Sequence, residues 1–548
     1  LGYNKKYRAF DHCLQNVRAY NRKHTLGPYH TSGLGAVAER SGHERLMYDD
    51  ILQGSMNFAV SLSGLGISRG DVVGLMTENR AEFWSSLVGI LYTGATATPF
   101  NLTYTKDEFK HVTSITKPKI MICSPIAYKL LGKTITSLPF VKRIIIYGTE
   151  RIRGTLLYND LATMINDGRR DFVPADVEGQ SDVAFVLYSS GTTGLPKGVM
   201  VTHHNCSVNT ELVGLTITPW FHAMGLMTNL ATFSRGRTNV YLPKFDVDLF
   251  LKTIEKTSVV PAILVALSKA EHSYDTSSLQ IVYCGAAPLY EETALAFKKR
   301  FPSVQAILQG YGMTESTLTL IINDNPDKIA SVGTVTQHNV VKVVNIDTRE
   351  PLGPNEEGEI CVKGLMIMKG YIGKDRREDF DDEGFYKTGD IGYYDEQGYF
   401  YIVDRLKELI KYKGFQVAPA ELEAVLLKHE GIKDAGIVGV PHGGAGEVPR
   451  AFVVPQPGVT LTERGVQDFV AERVSIVTSY YCITKIYYKL CLNLLSILYS
   501  SISFILFQLS NPKHLRGGVK FIDSIPRNPS GKILRRELRK MVKSKSKL

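Results

Sequence analysis

A short stretch rich in glycine and hydroxyl residues constrains this chain more than any other part of it. Residues 188–199 read Tyr-Ser-Ser-Gly-Thr-Thr-Gly-Leu-Pro-Lys-Gly-Val, and they directly follow the mostly apolar run 182–187. An apolar run of that length is typical of a buried strand. Backbone N–H groups freed by glycine, hydroxyl donors and one lysine together bind the oxygens of a polyphosphate. The stretch therefore predicts a phosphate-binding loop at the end of a strand, with Lys197 as its mobile cation.

This loop is not the commonest kind of phosphate-binding loop. Lys197 follows Pro196 and precedes Gly198, whereas a Walker loop has glycine before its lysine and serine or threonine after it. A flexible Gly/Ser linker is the plain alternative. Because linkers rarely follow a buried strand, we favour the phosphate loop.

The length and composition of the chain limit the classes of protein to which it can belong. At 548 residues it exceeds the size of one hydrophobic core, which predicts two or more domains. The net charge of +10 comes from scattered lysines and arginines, so we expect an anionic small substrate rather than nucleic acid. Seven cysteines without a Cys-x-x-Cys pair predict reduced thiols and no zinc site.

Helical and strand patterns alternate along the first part of the chain. Residues 48–65 and 79–95 have the apolar spacing of helices, whereas 71–76 and 143–147 are short apolar runs typical of buried strands. Such alternation predicts an α/β architecture with a mostly parallel sheet.

Three segments together resemble one enzyme superfamily. The loop at 188–199, the segment 309–316 (Gln-Gly-Tyr-Gly-Met-Thr-Glu-Ser) and the segment 404–414 (Asp-Arg-Leu-Lys-Glu-Leu-Ile-Lys-Tyr-Lys-Gly) resemble motifs of the adenylate-forming enzymes. That superfamily contains acyl-CoA synthetases, 4-coumarate-CoA ligases and beetle luciferases. The resemblance implies a large N-terminal adenylation domain of layered, mostly parallel sheets and helices, residues 1–403. A small mobile α+β C-terminal domain is expected to follow, residues 404–548.

The resemblance also implies an ATP-dependent acid–CoA ligase that works in two steps. The carboxylate of a fatty or aryl-propenoic acid attacks ATP to give an acyl-adenylate and pyrophosphate, and coenzyme A then displaces AMP. The implied cofactors are ATP, Mg²⁺ and coenzyme A. Two alternatives stay open: an adenylating oxidase of luciferase type, and a non-catalytic relative that binds nucleotide.

Most residues that the resemblance assigns to ATP lie in the three segments. By resemblance, Tyr311 is expected to stack on adenine, Asp390 to bind the ribose hydroxyls, and Glu315 to ligate magnesium as a hard oxygen donor. Lys407 is the expected pivot of the C-terminal domain. The full nucleotide set is Ser189, Ser190, Gly191, Thr192, Thr193, Gly194, Lys197, Gln309, Gly310, Tyr311, Thr314, Asp390, Arg405 and Lys407.

The remaining assignments by resemblance concern catalysis, the acyl pocket and coenzyme A. The expected catalytic residues are Lys532 and His222, although a solvated lysine and a core histidine are the plain alternatives. The expected acyl pocket comprises His222, Met224, Thr228, Ala286 and Gly310. The expected coenzyme A contacts are Lys244, Lys411, Lys413 and Gly414.

Parts of the chain depart from the family pattern. Residues 476–510 contain no acidic residue and end in an apolar run long enough to span a membrane. A span there would separate Lys532 from its own active site, so we expect an anomalous insertion rather than a stable membrane span. The interval from Lys197 to His222 is shorter than in the family, and 255–261 lacks part of a strand. Because domains have only a small net stability, we expect missing core elements to endanger folding.

The last three residues of the sequence form a recognised targeting signal. Ser546-Lys547-Leu548 is the peroxisomal address, and it follows a basic run. We therefore expect a peroxisomal location and the peroxisomal import receptor as a partner. An ordinary lysine-rich tail is the alternative.

Overall fold

The chain forms two compact units. The computed structural model describes residues 36–40, 44–163, 172–189, 196–208, 219–234, 276–277, 279–285, 289, 291–412, 415–473, 513–527 and 533–543. Unit 1 comprises Leu1–Lys342, Cys361–Lys387 and Gly398–Phe400, and unit 2 comprises Val343–Ile360, Thr388–Gln397 and Tyr401–Leu548. The expected domain boundary at residue 404 and the expected pivot at Lys407 concern motion, so they stay predictions.

Strands and helices alternate through the described part of unit 1, and strands predominate in the described part of unit 2. The strands are β1 (Ala36–Arg40), β2 (Glu44–Met47), β3 (Val72–Met76), β4 (Thr96–Pro99), β5 (Ile120–Cys123), β6 (Arg143–Ile146), β7 (Leu156–Leu157), β8 (Val183–Ser189), β9 (Lys197–Thr202), β10 (Ile281–Cys284), β11 (Ala306–Gly312), β12 (Thr319–Ile322), β13 (Thr334–Val335), β14 (Asn339–Val344), β15 (Gly358–Gly364), β16 (Gly370–Tyr371), β17 (Tyr386–Tyr394), β18 (Phe400–Arg405), β19 (Ile410–Tyr412), β20 (Phe415–Val417), β21 (Ile432–His442), β22 (Gly446–Pro455) and β23 (Val519–Phe521). The helices described from end to end are α1 (Tyr48–Gly64), α2 (Glu82–Tyr92), α3 (Lys106–Thr116), α4 (Pro125–Thr136), α5 (Tyr158–Thr163), α6 (His203–Val208), α7 (Ala223–Ser234), α8 (Glu291–Arg300), α9 (Pro419–Leu427) and α10 (Arg535–Lys543). Residues 463–473 are also helical.

An eight-stranded sheet organises unit 1. Its strand order is β16-β9-β8-β4-β3-β5-β6-β7. The strands from β8 to β7 are parallel, whereas β9 and β16 are antiparallel additions at one end. Helices α2, α3 and α4 connect successive parallel strands, and the aromatic and aliphatic side chains of α3 and α4 are buried in one core with those of β5 and β6. The α/β prediction with mostly parallel strands is confirmed.

Local sequence signals determine where the connecting helices begin and end. Thr105 and Glu108 form a capping box at the start of α3, because each side chain accepts the backbone N–H of the other, at 3.2 and 2.9 Å. Helix α2 is shorter than the predicted 79–95. It stops before Gly94, whose φ of +75° places it in the left-handed region that commonly ends helices.

A second sheet of unit 1 has the order β10-β11-β12-β13. Strands β10 and β11 are parallel, and β12 and β13 follow as antiparallel neighbours. A third sheet has the order β14-β15-β17-β18, and along these strands the chain passes between the two units.

The C-terminal part of unit 2 is an α+β arrangement. Its sheet has the order β20-β19-β22-β21, with β23 parallel to β22. Helices α9 and α10 contribute Leu422, Leu426 and Leu538 to a core that includes Val438 and Phe452 of the sheet. This arrangement is the small α+β fold that the sequence predicts.

Three of the predicted departures fall wholly or partly on residues that are not described. The anomalous insertion at 476–510 and the segment 255–261 lie outside the described residues, and the interval from Lys197 to His222 is described except for 209–218. Among the helices that the structure does describe, none combines the length and apolarity needed to cross a bilayer.

Candidate active site

The two ends of the predicted phosphate loop lie on adjacent strands. β8 ends at Ser189 and β9 begins at Lys197, and these residues face each other in an antiparallel pair. The prediction of a strand ahead of the loop is confirmed. The loop residues themselves lie outside the described residues: Ser190, Gly191, Thr192, Thr193 and Gly194.

Tyr188 anchors the strand that leads into this loop. Its hydroxyl oxygen lies 3.0 Å from Oγ1 of Thr98 and 2.8 Å from Oγ1 of Thr116, and 3.2 Å from the carbonyl oxygen of Val112. Its ring stacks on Phe100 with the centroids 5.4 Å apart. The start of the loop is therefore held by the main core of unit 1.

His111 anchors the other end of the loop. Its Nε2 lies 3.0 Å from the carbonyl oxygen of Pro196, and because a carbonyl only accepts, Nε2 carries the proton. Helix α3 thus holds both ends of the loop, through His111 on one side and Val112 and Thr116 on the other. Sequence reasoning missed His111, because a lone histidine 85 residues from its partner forms no motif.

The nucleotide and metal ligands predicted in the segment 309–316 lie on β11 and the 3₁₀ turn that follows it. A Cβ atom at Gly312 would lie 1.6 Å from the carbonyl oxygen of Leu318, so only glycine fits there. The side chain of Gln309 is used within the fold: Nε2 donates to the carbonyl of Ile329 at 2.5 Å, and Oε1 accepts the N–H of Leu289 at 3.3 Å. The backbone carbonyl of Gln309 also accepts the N–H of Asn323 at 2.8 Å, so a nucleotide contact by Gln309 stays a prediction.

Gly310 lies where the predicted acyl and adenine sites meet. Because β10 and β11 are parallel neighbours, a Cβ atom at Gly285 would lie 3.1 Å from the carbonyl oxygen of Gly310. The next residue, Ala286, lies outside the described residues. The structure thus brings the end of β10 to Gly310, as the predicted pocket requires, and Tyr311 follows with 9% of its surface exposed.

Glu315 is held by a tyrosine pair that the sequence did not indicate. It lies in the 3₁₀ turn Thr314–Ser316 and is 7% exposed. The hydroxyl of Tyr371 donates to its Oε1 at 2.7 Å, and the hydroxyl of Tyr386 lies 3.1 Å from that of Tyr371. The ammonium of Lys197 lies 4.5 Å from the ring centroid of Tyr371. The predicted metal ligand and the predicted phosphate-loop lysine therefore contact the same side chain.

The carboxylate of Glu315 is a suitable ligand for a magnesium ion that arrives with a nucleotide. The described residues contain no group of three or more histidine, cysteine or acidic side chains able to hold a metal ion. Mg²⁺ is usually held by one or two carboxylates together with phosphate oxygens and water, rather than by a closed protein site. A single buried carboxylate matches that pattern.

His222 caps the N-terminus of α7. Its carbonyl accepts the N–H of Leu226 at 3.0 Å, and its Nδ1 accepts the N–H of Met224 at 3.3 Å. Burial lowers the pKa of His222 from its ordinary value of 6.5. The imidazole is therefore neutral with its proton on Nε2, in a form that can donate to a substrate carboxylate. A core histidine remains the plain alternative, and it also accounts for the burial of His222.

Met224 and Thr228 lie on the first turns of the helix that His222 caps. They are four residues apart, so their side chains are neighbours on one face of α7. Thr228 is 8% exposed, and Met224 is half-buried. The structure therefore places three predicted acyl-pocket residues at the N-terminal end of one helix.

The burial of His222 predicts a specific dependence of stability on pH. Because its folded pKa lies below 6.5, the unfolded chain binds a proton more readily, so the stability due to neutral His222 is present above pH 6.5 and is lost as the pH falls. The slope is at most about 1.4 kcal/mol per pH unit. We expect His222→Gln to remove this slope when the stability around α7 is measured by hydrogen exchange of its amides from pH 7.5 to 5.5, because the chain has two units. The exposed His338, replaced by Asn, is the control, and an unchanged slope in His222→Gln would contradict the assignment.

In unit 2 the structure brings together two predicted ribose ligands. The Nε of Arg405 lies 3.1 Å from Oδ1 of Asp390, and Asp390 is 4% exposed. The N–H of Leu406 donates to the carbonyl of Gly389 at 2.8 Å, which joins the two segments through their backbones. A carboxylate beside a guanidinium offers an acceptor for hydroxyls and a donor for phosphate, as the resemblance implies.

The other predicted residues of unit 2 are exposed lysines or lie outside the described residues. Lys407 is exposed in the turn after β18, and Lys411 is exposed on β19. The fold does not test the role predicted for either lysine. Lys413, Gly414 and Lys532 lie outside the described residues, as does Lys244 of unit 1.

A buried ion cluster lies near the expected pivot, and sequence reasoning missed it. Arg535, the first residue of α10, is 8% exposed and pairs with Glu423 of α9, and its Nε donates to Glu408 at 2.8 Å. Its Nη1 also donates to the carbonyl of Ile437 at 3.0 Å. Burial raises the pKa of Glu423 and of Asp404, although Arg535 opposes this rise in both. One arginine therefore ties α9, α10, β21 and the turn of Glu408 together.

Comparisons with known proteins cover nearly the whole chain. Residues 30–372 match the family model of the AMP-binding enzymes, and residues 421–489 match that of the AMP-binding enzyme C-terminal domain. A luciferin 4-monooxygenase of Nipponoluciola cruciata is 38% identical over 546 residues, covering 93% of this chain and 92% of that protein. A probable 4-coumarate–CoA ligase 2 of Dictyostelium discoideum is 36% identical over 516 residues, covering 88% of this chain and 87% of that protein.

A solved structure matches the fold over a similar extent. The ATP-bound MatB of Rhodopseudomonas palustris superposes with a TM-score of 0.78 at 25% identity, covering 96% of this chain and 99% of that one.

Proposed function

The chain belongs to the AMP-binding enzyme family of adenylate-forming enzymes, and we propose that it is an AMP-forming acid–CoA ligase. It activates a carboxylic acid with ATP, releases pyrophosphate, and transfers the acyl group to the thiol of coenzyme A with release of AMP. The observation that carries this choice of acceptor is the match to the probable coumarate–CoA ligase over 88% of the chain. The exposed Lys411 on β19, which the family resemblance assigns to coenzyme A, supports it.

The residues of unit 1 supply the first step. Attack of the carboxylate on the α-phosphorus builds negative charge on phosphate oxygens, and fixed positive groups aimed at that charge lower the barrier. Lys197, at the end of the anchored loop, is one such group, and neutral His222 donates Nε2–H to orient the attacking carboxylate. Glu315 is the residue that would hold a Mg²⁺ ion, and that ion would supply positive charge to screen the phosphates.

The residues of unit 2 supply nucleotide contacts and the remaining catalytic charge. Asp390 accepts hydrogen bonds from ribose hydroxyls, and Arg405 beside it binds ribose or phosphate. Lys532 adds a cation in the adenylation step. Lys411, with Lys413 and Gly414, serves the thioester step after the C-terminal domain has turned about Lys407. The two steps thus use different lysines of the same chain.

The substrate is an acid with an apolar body. Met224 and Thr228 give the pocket an apolar to mildly polar lining on α7, a helix that itself carries no cation for a second carboxylate. A fatty or an aryl-propenoic acid fits such a lining, because a pocket discriminates by what it can hydrogen-bond and by size.

A second candidate function is an adenylating oxidase. The 38% identity to a luciferin 4-monooxygenase favours it. Such an enzyme shares the adenylation step, but it uses oxygen rather than coenzyme A afterwards.

ATP–pyrophosphate exchange across a panel of fatty and aryl-propenoic acids tests the first step. We expect acid-dependent exchange, from the chain as written or from a version lacking residues 476–510, and no exchange without acid. Adding coenzyme A should then give a thioester and AMP. Oxygen uptake or light without thioester would support the oxidase, and no exchange from folded protein would support a non-catalytic relative.

We also propose that Ser546-Lys547-Leu548 directs the protein to peroxisomes. A fluorescent protein fused to the N-terminus should mark peroxisomes, and deletion of the three residues should abolish that location.

A further inference from the structure

Tyr371 contacts both charged groups that the proposed adenylation step needs in unit 1. Its hydroxyl donates to Oε1 of Glu315 at 2.7 Å, while its ring face lies 4.5 Å from the ammonium of Lys197. A cation over an aromatic ring is attracted to it, and a hydrogen bond to a carboxylate is stronger than one between neutral groups. The side chain of Tyr371 therefore contacts both charged groups, Glu315 through its hydroxyl and Lys197 through its ring.

The backbone around Tyr371 is fixed to the same two elements. β16 is antiparallel to β9, so Tyr371 faces Val199, two residues from Lys197. The N–H of Ile372 donates to the carbonyl of Gly198 at 3.0 Å, and the N–H of Met368 donates to the carbonyl of Glu315 at 2.8 Å. The segment 368–372 is thus bonded to the phosphate-loop strand on one side and to the 3₁₀ turn on the other.

A second tyrosine sets the direction of the hydroxyl of Tyr371. A tyrosine hydroxyl has one proton, and that of Tyr371 goes to Glu315. The hydroxyl of Tyr386, 3.1 Å away, must therefore be the donor to Tyr371. The order Tyr386 to Tyr371 to Glu315 follows from this count of protons.

We propose that Tyr371 is a positioning residue that fixes the Glu315 carboxylate for the divalent cation bound with ATP and keeps the Lys197 ammonium apart from that carboxylate. This inference rests on the proposed function only for its adenylation step. Opposite charges in a half-buried site attract strongly. A lysine paired directly with Glu315 would neutralise the carboxylate that receives the metal. That lysine would then no longer be available to bind the phosphates. The tyrosine holds the two charges separately, so both remain available to the nucleotide.

The test is the effect of Mg²⁺ on ATP binding, measured by calorimetry without any acid substrate. We expect Mg²⁺ to strengthen ATP binding to the unaltered protein. In Tyr371→Phe, which keeps the ring but loses the hydroxyl, we expect this strengthening to fall about tenfold. ATP binding in the presence of a chelator should stay within about twofold of the unaltered protein. Tyr371→Leu, which also loses the ring, should weaken ATP binding with and without the metal.

Tyr147 offers a matched control in the same unit. Its buried hydroxyl donates to Ser86 at 2.8 Å, and the guanidinium of Arg80 lies 4.7 Å from its ring centroid. Tyr147→Phe therefore removes an equivalent buried hydroxyl and should leave the effect of Mg²⁺ unchanged. Equal weakening of ATP binding with and without Mg²⁺ in Tyr371→Phe, or no weakening, would overturn the proposal.

The same measurements separate this inference from the proposed ligase function. Unaltered protein that binds ATP in a Mg²⁺-dependent way but forms no thioester would refute the ligase and leave the role of Tyr371 intact. Unaltered protein whose ATP binding is indifferent to Mg²⁺ would overturn the role of Tyr371, whatever product the enzyme makes.

Discussion

Replacing Lys532 with alanine is expected to lower acid-dependent ATP–pyrophosphate exchange by about 10²- to 10³-fold. Removing one group that stabilises charge developing in a transition state typically has an effect of this size. The loss should appear in the maximal rate rather than in the affinity for ATP, because the charge develops only as the carboxylate attacks. Lys433, exposed on β21, is the matched control, and Lys433→Ala should exchange normally.

The same variant should keep the second step. We expect Lys532→Ala to form thioester from a supplied acyl-adenylate at close to the unaltered rate. Lys411→Ala should do the reverse, with normal exchange and about 10- to 100-fold slower thioester formation, the size of a lost charge-assisted hydrogen bond. If either variant, as folded protein, lost both steps, the assignment of Lys532 to adenylation and of Lys411 to thioester formation would be contradicted.

Replacing Arg535 with alanine is expected to destabilise unit 2 by about 3–5 kcal/mol. Removing one partner of a buried ion pair leaves uncompensated charge in the interior, and here it leaves both Glu408 and Glu423. The next residue offers the control: Arg536 is exposed and pairs with Glu537, so Arg536→Ala should change stability by less than about 0.5 kcal/mol. Because the chain has two units, hydrogen exchange of the β21 amides is the suitable measurement.

Acid should reduce the defect of the Arg535 variant. A buried carboxyl without its cation has a folded pKa raised above the unfolded value, so its cost is absent below the unfolded pKa and grows as the pH rises through the folded one. The difference between Arg535→Ala and the unaltered protein should therefore shrink as the pH falls from 7 to 5. A difference below about 1 kcal/mol at pH 7, or one that does not shrink, would show that the cluster contributes little.

The sequence predicts those features whose signals lie within a short stretch of residues. The strand before the phosphate loop was predictable because its apolar run is continuous, and Asp390 and Arg405 were found because each lies in a recognisable local segment. The family resemblance rested on short segments as well, whereas the α/β class followed from the alternation of helical and strand patterns along the first part of the chain.

The supporting contacts were not predictable, because each joins residues far apart in the chain. His111 and Pro196 are 85 residues apart, and Arg535 and Glu423 are 112 apart. Nothing local marks such partners, since a tyrosine, a histidine or an arginine on a helix or strand is ordinary until the fold places it. Tyr371 shows this most clearly, because it holds a predicted ligand yet lies in a two-residue strand without a signal of its own.

The two ends of the eight-stranded sheet bear on how the protein behaves at high concentration. Among the described strands, β16 and β7 are the outermost, and each has only two residues. A long edge strand exposes a row of unpaired N–H and C=O groups on which another molecule can add a strand, and very short edges are one way in which proteins prevent this. Of the sheets that the structure describes, the largest thus has only short outermost strands on which a neighbouring molecule could add a strand, so we expect aggregation of the folded protein to begin elsewhere.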